Sequence, residues 1–268
     1  TTTGALRSEM EMAGVDLRAS TDSEIIAAML AIEEGSLLAA ACSVMPRLIG
    51  AYSVVAMSGT ELVAFRDPHG VRPLVVGKLE DDGWCVASET CALDQVGATF
   101  VRDVNPGEAV RLTAGGVQSR QAMPSKGGRL CVFEHIYFAR PDSLMDGDTV
   151  WQARQAMGVE LARQSPAEAD LVVGLPDSGT PAAIGFAQES GIPYAEAVVR
   201  NRYVGRSFIQ PDQTLRKQGI RLKFNPLPAV IAGKRLLVVD DSIVRGNTTQ
   251  QIVAMLMDAG ATEVHMRI

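Results

Sequence analysis

The fold is decided by the stretch Leu236-Leu237-Val238-Val239-Asp240-Asp241-Ser242-Ile243-Val244-Arg245-Gly246-Asn247-Thr248-Thr249. An apolar strand ends in two adjacent carboxylates, and a loop of small and hydroxyl residues leads into a predicted helix. Thr248 and Gln251 have the spacing of a capping box at the start of that helix. Loop amides and a helix N-terminus can hold a phosphate, and the carboxylates can hold sugar hydroxyls or a divalent cation. The stretch therefore predicts a site for a phosphorylated sugar.

The competing interpretation of this stretch is a solvated turn that caps a helix. Adjacent carboxylates at a strand end repel each other unless a cation or a hydroxyl-rich ligand compensates them. A plain turn also leaves the following residues unexplained, because Gly246 permits a close backbone approach and the threonines offer hydroxyl donors. We therefore favour a ligand site.

The second half of the chain alternates strands and helices from about residue 150 onward. The expected helices are 150–163, one capped by Thr180 with Pro181 first and Gly191 at its end, and 248–259, and the expected strands are 171–175, 193–199, 234–239 and 264–268. Such alternation is typical of a parallel sheet, in which ligands bind at the carboxyl ends of the strands. Both the acidic stretch and the loop Pro176-Asp177-Ser178-Gly179-Thr180 lie at such ends.

The first half of the chain has a different pattern. Thr21 and Glu24 fit a capping box before an apolar helical face, Gly35 is a candidate C-cap, and a second helix is expected over 36–48. Short apolar runs then predict strands at 51–57, 62–65, 74–77, 84–87, within 101–112 and at 116–121. Spacing this short suits antiparallel hairpins, since a parallel pair needs a longer crossover.

Composition fits a soluble globular protein of one or two domains. The chain has 268 residues, of which 47% are hydrophobic and 21% charged, and a formal net charge of -6. It has no apolar run near the ~20 residues that span a bilayer and no visible signal peptide, so we expect no membrane partner and a cytoplasmic location. The acidic balance argues against a nucleic-acid partner. Four cysteines without CxxC spacing argue against a disulfide framework.

A long polar segment, residues 200–223, separates two of the predicted strands. It is rich in arginine and lysine, and Asp212 is its only acidic residue. A solvated basic loop is the ordinary interpretation of such a run. A loop longer than about 15 residues inside a compact domain is more often functional, and a basic lid could stabilise a departing anion. Arg200, Arg202 and Tyr203, at its start, are candidate substrate contacts.

Residues 238–250 resemble the phosphoribosylpyrophosphate (PRPP) loop of type I phosphoribosyltransferases. The resemblance implies that Asp240 and Asp241 bind the ribose hydroxyls and help to hold Mg2+, and that the loop after them cradles the 5-phosphate. The residues assigned to that cradle are Ile243, Val244, Arg245, Gly246, Asn247, Thr248 and Thr249. The loop 176–180 fits the position of the pyrophosphate loop of the same family, which makes Ser178 a candidate Mg2+ ligand.

Further segments narrow the resemblance to the glutamine PRPP amidotransferases. They are residues 65–74, 87–94, 102–108, 133–143 and 201–208. The resemblance implies an α+β sandwich similar to N-terminal-nucleophile hydrolases, with two antiparallel sheets between helix layers, followed by an α/β type I phosphoribosyltransferase domain with a parallel sheet. We expect the first domain over 1–130, a connector over 131–149 and the second domain over 150–268. The implied activity transfers ammonia from glutamine to PRPP and gives 5-phosphoribosylamine, glutamate and pyrophosphate, the committed step of purine synthesis.

Two departures from the family bear on glutamine. The family's N-terminal cysteine nucleophile and its glutamine-clamping arginine are not in this sequence, so we expect a fragment lacking both ends, without glutaminase activity by the family mechanism. Asp22 matches an aspartate that contacts glutamine, and its ordinary role would be a helix cap.

Cys131 matches the first ligand of a 4Fe-4S cluster in one branch of the family, with the later ligands beyond Ile268. Arg200 stands where relatives often carry lysine. The compact ammonium charge of lysine is thus replaced by the planar guanidinium group of arginine.

The resemblance also suggests a homotetramer with allosteric feedback by purine nucleotides. Two other functions stay open at this point. A PRPP-binding transcriptional regulator would need a DNA-binding element such as a helix-turn-helix, which we do not find in the sequence. A nucleobase salvage phosphoribosyltransferase would account for the second half of the chain and leave the first half unexplained.

Overall fold

The computed structural model describes residues 2–59, 61–201, 203, 223–244 and 246–268. The chain divides into two compact units, residues 1–134 and residues 135–268. Within the described ranges, every helix is too short or too polar to pass through a bilayer.

Helices open the first unit. They are α1 (Thr2–Met12), α2 (Asp22–Ile32) and α3 (Leu37–Val44), the last continued by a 3-10 turn at Met45–Arg47. Thr21 caps α2, since its hydroxyl accepts a hydrogen bond from the Glu24 N–H at 3.4 Å, as the sequence predicts. The Glu24 carboxylate accepts from the N–H groups of Arg18 and Ala19. The sequence prediction omits α1, in which Met10 alone is fully buried among the side chains from residue 3 onward.

Seven strands and a fourth helix complete the description of this unit. They are β1 (Ser53–Met57), β2 (Leu62–Arg66), β3 (Val75–Lys78), β4 (Trp84–Ala87), α4 (Thr90–Gln95), β5 (Thr99–Asp103), β6 (Glu108–Thr113) and β7 (Gly116–Gln121). One sheet has the order β1-β2-β6-β7 and the other the order β4-β3-β5, and all neighbours are antiparallel. The predicted antiparallel hairpins are therefore confirmed.

Alternation along β2 shows why this unit is a sandwich. Val63 and Phe65 are fully buried in the core that α2 and α3 form with the first sheet. Ala64, between them, is fully buried in a second core shared with residues of β3 and β4. Val75 of β3 packs with Leu93 of α4 on the far side of the second sheet. Because successive strand side chains point to opposite faces, two sheets lie face to face with helices outside both.

The motif at residues 65–74 forms a buried polar turn. Arg66 is 7% exposed and donates to three backbone carbonyl oxygens at 2.7 to 2.8 Å. Asp67 is fully buried and accepts from the N–H of His69 at 2.8 Å. Gly70 has a φ of 59°, and a Cβ there would lie 3.1 Å from the Arg66 guanidinium carbon. This motif is one of the segments that resemble the amidotransferases, and its buried Arg66 and Asp67 stabilise the fold of the first unit.

The second unit contains the parallel sheet. Its elements are β8 (Leu144–Met145), β9 (Asp148–Thr149), α5 (Val150–Gln164), β10 (Leu171–Gly174), α6 (Gly179–Ser190), β11 (Val198–Arg200), β12 (Phe224–Pro226), α7 (Pro228–Ile231), β13 (Arg235–Val239), α8 (Asn247–Asp258) and β14 (Glu263–Arg267), and a π-helical turn spans Glu134–Phe138. β10, β13 and β14 pair in parallel in that order, as the alternation of strands and helices predicts. β11 pairs with β12, and β8 with β9, both antiparallel.

Helices α5 and α6 approach so closely that each needs a glycine. A Cβ on Gly158 of α5 would lie 1.8 Å from the carbonyl oxygen of Ala182. A Cβ on Gly185 of α6 would lie 2.0 Å from the carbonyl oxygen of Gln155. The two backbones therefore pack directly on each other.

The structure corrects the expected starts of two helices. α6 begins at Gly179 with Ser178 at its N-cap position, so Pro181 is its third residue and Thr180 is not the cap. α8 begins at Asn247, and the capping box expected from Thr248 is wrong. A capping residue must precede the helix, whereas Thr248 already lies within it.

The strand expected over 193–199 is mostly absent. Tyr194 forms a single parallel bridge with Val172, and β11 begins only at Val198. Proline has no N–H for a ladder, so the chain joins β10 only through the carbonyl oxygen of Pro193 and the N–H of Ala195.

Candidate functional site

Two loops meet at the carboxyl edge of the parallel sheet. Gly174 and Val239, the last residues of β10 and β13, lie opposite each other, and the Leu175 N–H donates to the Val239 carbonyl at 2.9 Å. The loop 176–180 and the acidic stretch therefore leave the sheet side by side. Gly179 permits this approach, because a Cβ there would lie 2.5 Å from the Val239 carbonyl oxygen.

Ser178 and Asp241 join these loops directly. The Ser178 hydroxyl donates to Oδ2 of Asp241, and the Ser242 hydroxyl donates to Oδ1 of the same carboxylate. Both oxygens of Asp241 are therefore engaged at a half-buried position. The structure thus brings together two residues for which the sequence predicts a shared cation.

Asp240 is an acidic residue whose ionisation its surroundings disfavour. Burial, and then the neighbouring carboxylate of Asp241, raise the pKa of Asp240 to about 6. A hydrogen bond from the Asp241 N–H at 2.9 Å and the ammonium group of Lys223 act in the opposite direction and offset this only in part. Two carboxylates whose repulsion is incompletely offset favour the arrival of a cation.

The side chains present fit Mg2+ bound partly by a substrate. In the ranges that the structure describes, no group of three or more His, Cys, Asp or Glu side chains is placed to hold a metal ion. Mg2+ is usually held by one or two carboxylates together with substrate phosphates and water. Asp240, Asp241 and Ser178 place two carboxylates and a hydroxyl together, which suits that mode of binding.

The loop after the acidic pair faces solvent. Ile243 and Val244 are 50% and 79% exposed. Gly246, at the N-cap position of α8, has a left-handed φ of 72°, a conformation that glycine adopts without steric cost. The chain thus turns sharply and presents the start of α8 at the same edge as the acidic pair.

The other residues predicted for this loop fall into two groups. Thr248 is exposed and Thr249 half-buried, both in the first turn of α8. For Asn247 the structure describes the main chain, which begins α8, and Arg245 lies outside the described residues.

The basic segment begins beside the loop 176–180. Arg200, the last residue of β11, forms an ion pair with Asp177. The Asn201 side chain accepts a hydrogen bond from the N–H of Tyr203 at 3.0 Å, and Tyr203 is fully exposed. The predicted contact at Arg202 and residues 204–222 of the predicted lid lie outside the described residues.

Lys223, at the end of the basic segment, is a candidate that the sequence analysis does not single out. Phe224, the next residue, pairs with Arg200 in the β11–β12 ladder. Burial and the charge of Arg200 lower the pKa of Lys223, whereas the aspartates of both loops act to raise it. The pairing of β11 with β12 brings the end of the basic segment back beside its start, and the sequence analysis does not predict that pairing.

The other two candidates belong to the first unit. Asp22 is exposed at the first position of α2, and the capping residue is its neighbour Thr21. Cys131 is a half-buried free thiol whose N–H donates to the Val71 carbonyl at 3.0 Å. The described part of the chain offers Cys131 no cluster of further metal-binding side chains.

Comparisons with known proteins find relatives along nearly all of this chain. A family model for a glutamine amidotransferase domain matches residues 2–95. The amidophosphoribosyltransferase of Mycobacterium tuberculosis is 56% identical over 253 residues, covering 93% of this chain and 47% of that protein. The amidophosphoribosyltransferase of Synechocystis is 52% identical over 263 residues, covering 94% of this chain and 52% of that protein.

Solved structures of similar proteins also match nearly the whole chain. The glutamine PRPP amidotransferase from B. subtilis, complexed with ADP and GMP, matches with a TM-score of 0.89 and 45% identity over 98% of this chain and 58% of its own. An allosteric regulatory enzyme of purine biosynthesis matches with a TM-score of 0.90 and 44% identity over 100% of this chain and 57% of its own. The chain spans about half the length of the curated relatives it matches. The expected family resemblance and the expected fold class are confirmed.

Proposed function

We propose, because this chain is related to the amidophosphoribosyltransferases over nearly all of its length, that the protein transfers ammonia from glutamine to PRPP. The products are 5-phosphoribosylamine, glutamate and pyrophosphate, and the reaction is the committed step of de novo purine synthesis. The observation that carries the proposal is the hydrogen bond from Ser178 to Asp241, which joins the two phosphate-binding candidate loops at one edge of the parallel sheet.

In this proposal each loop of the second unit holds one part of PRPP. Asp240 and Asp241 bind the ribose hydroxyls, and the loop 243–249 binds the 5-phosphate through its amides and the start of α8. The loop 176–180 binds the pyrophosphate group, with Arg200 beside it through its ion pair with Asp177. Arg202 and Tyr203 are proposed as further contacts from the basic segment.

The chemistry is a displacement at C1 of the ribose. The ammonia nitrogen forms a bond to C1, the bond from C1 to the pyrophosphate oxygen breaks, and pyrophosphate leaves with the bonding electrons. Positive charge develops on the sugar, and the carboxylates of Asp240 and Asp241 stabilise it electrostatically. Mg2+, when bound by these carboxylates and Ser178, neutralises charge on the leaving pyrophosphate. Uncharged ammonia needs no prior deprotonation, and the protonated amine that forms at C1 releases one proton to water to give 5-phosphoribosylamine, so the site needs no general base of its own.

The first unit is the proposed source of ammonia. The match of residues 2–95 to a glutamine amidotransferase domain supports this assignment, and Asp22 is the proposed contact to glutamine. We assign residues 1–130 to the glutaminase domain, 131–149 to a connector and 150–268 to the phosphoribosyltransferase domain. The residues of this chain do not supply the family's N-terminal cysteine, so the nucleophile for glutamine is not assigned to any of them.

Several finer properties belong to the proposal by analogy with the family. They are Mg2+ dependence, a cytoplasmic location, a homotetramer and allosteric inhibition by purine nucleotides. The last draws support from the B. subtilis relative, which is complexed with ADP and GMP. A 4Fe-4S cluster would use Cys131 as one ligand. A cluster needs four such ligands, so the described residues do not fit it alone and no step of the mechanism involves it.

The test is an assay of pyrophosphate release from PRPP with Mg2+ and ammonia, alongside a panel of nucleobases. Ammonia-dependent release with formation of 5-phosphoribosylamine supports the proposal. Release that requires a nucleobase would assign the protein to salvage. PRPP binding without turnover, together with a PRPP-responsive DNA gel shift, would indicate a regulator.

A further inference from the structure

We propose that Ser242 is a positioning residue, whose hydroxyl group holds the Asp241 carboxylate in the orientation that binds Mg2+. The inference rests on the proposed function and adds to its site a residue that has no role in it so far. It is drawn from the hydrogen bonds that reach the two oxygens of Asp241 from two separate segments of the second unit.

The carboxylate of Asp241 accepts a hydrogen bond on each of its oxygens. Oδ2 accepts from the hydroxyl of Ser178, at the N-cap position of α6, and Oδ1 accepts from the hydroxyl of Ser242. The Asp241 N–H in turn donates to Oδ1 of Asp240 at 2.9 Å. Because donors on both oxygens restrict the rotation of a carboxylate, the protein itself sets the orientation of Asp241.

The two serines have different tasks in the proposed site. Ser178 is a proposed ligand of Mg2+, so its hydroxyl oxygen serves the cation. Ser242 is not a proposed ligand, and its bond to Oδ1 is therefore the one that holds the Asp241 carboxylate for the cation. Loss of a hydrogen bond to a metal-binding carboxylate typically lowers metal affinity or activity about 10- to 100-fold.

A direct contact of Ser242 with the 5-phosphate is the competing role, because the proposed phosphate loop begins at Ile243. An ionised carboxylate can only accept hydrogen bonds, and a serine hydroxyl has a single proton to donate. In Ser242 that proton is directed to Asp241. Ser242 is also half-buried, whereas Ile243 and Val244 after it are exposed. Phosphate affinity should therefore not depend on this hydroxyl.

The test measures binding by calorimetry, without ammonia, for two ligands. PRPP with saturating Mg2+ reports the complete site, and ribose 5-phosphate with a chelator in place of Mg2+ reports the sugar-phosphate contacts alone. Ser242→Ala removes the hydroxyl and Ser242→Thr keeps it, and Ser190→Ala at the far end of α6 is the matched control. If Ser242→Ala does not fold, Ser242→Gly replaces it, since glycine also lacks the hydroxyl.

We expect Ser242→Ala to weaken the binding of PRPP with Mg2+ by about tenfold, the lower end of the usual range, because Asp241 is only half-buried. Ser242→Thr and the control should bind PRPP as the wild-type protein does. Ribose 5-phosphate affinity should be the same in every variant, whereas a purely structural role would weaken both ligands together.

Three results would overturn this inference alone. They are wild-type affinity for PRPP in Ser242→Ala, equal losses in the alanine and threonine variants, and equal losses for the two ligands. Absence of PRPP binding by the wild-type protein would overturn the proposed function and this inference with it.

Discussion

Ser178 donates a hydrogen bond to the Asp241 carboxylate, and this bond ties the loop after β10 to the loop after β13. The two residues are 63 positions apart in the chain, so the parallel pairing of two strands is what places them together. The bond places a hydroxyl and a carboxylate side by side, as the proposed Mg2+ site requires. The bond is the structural basis for treating the two loops as one site.

Replacing Ser178 with alanine should weaken the use of PRPP while leaving the fold intact. The variant loses a proposed Mg2+ ligand and the bond to Asp241, and a hydrogen bond to a charged group is worth about 1.5 to 3 kcal/mol. We therefore expect KM for PRPP to rise about tenfold or more at limiting Mg2+. Initial rates of ammonia-dependent pyrophosphate release, measured across Mg2+ concentrations, provide the check. Ser190→Ala, at the other end of α6, is the control, and equal KM values for the two variants would contradict the assigned role.

Changing both Asp240 and Asp241 to asparagine should abolish ammonia-dependent synthesis. The variant removes the charge that we propose stabilises the developing positive centre, so we expect the rate to fall by at least about a hundredfold. It also removes the repulsion between adjacent carboxylates, so the melting temperature should not fall. Activity and thermal unfolding are measured together, with Asp148→Asn as the control because Asp148 is exposed in β9. Ammonia-dependent synthesis that persists in the double variant would disprove the assignment of this site.

The sequence predicts the acidic pair and the loop 176–180 because their signals are local. Each follows an apolar run that only a buried strand explains, and the carboxyl ends of parallel strands share an edge. For Lys223 the sequence predicts only membership of the basic segment 200–223, because its position beside the acidic pair depends on β12 returning to pair with β11. The bond between Ser178 and Asp241 likewise depends on tertiary packing.

Element ends were harder to predict than element types. α8 starts at Asn247 because Gly246 turns the chain in a left-handed conformation, and a glycine without a capping side chain gives a weak start signal. The residues 193–199 look apolar enough for a strand, yet Pro193 cannot donate to a ladder. In both places the backbone conformation and the available hydrogen-bond donors, and not the local sequence propensity, decide where the element begins.

Glu108 should make the first unit sensitive to acid. The carboxylate is 2% exposed. Burial raises its pKa, but Arg102 in a two-pronged pair at 2.8 and 2.9 Å, the Ser119 hydroxyl and the Asn105 N–H together bring the pKa below its ordinary value. A carboxyl group with a lowered folded pKa stabilises the fold above its unfolded pKa of about 4.3 and loses that contribution as pH falls through the folded value.

The test of this acid sensitivity is Glu108→Gln, which should lower the free energy of unfolding by about 2 to 4 kcal/mol at pH 7. The deficit should be constant down to about pH 5 and shrink at lower pH, because the wild-type protein then loses the same charge. Unfolding is followed by Trp84 fluorescence in a Trp151→Phe background, which reports the first unit alone. Glu80→Gln in the exposed β3–β4 turn is the control. A deficit that does not change with pH would show that Glu108 acts by packing and not by charge.

At the glycines between α5 and α6, substitution by alanine should lower the free energy of unfolding, whereas it usually raises it in a helix. Gly→Ala inside an exposed helix stabilises by about 0.5 to 1 kcal/mol, and Gly4→Ala in α1 should do so because a Cβ there meets nothing within 4 Å. Gly158→Ala and Gly185→Ala each place a methyl group about 2 Å from a backbone carbonyl oxygen that cannot rotate away. The helices must then separate, which should lower the free energy of unfolding of the second unit by about 3 kcal/mol. Fluorescence of Trp151, at the start of α5, reports this unfolding transition in a Trp84→Phe background. Fluorescence of Trp84 in the Trp151→Phe background reports unfolding of the first unit for the Gly4→Ala control. Stabilisation by alanine at position 158 or 185 would mean that the two helices do not pack backbone to backbone.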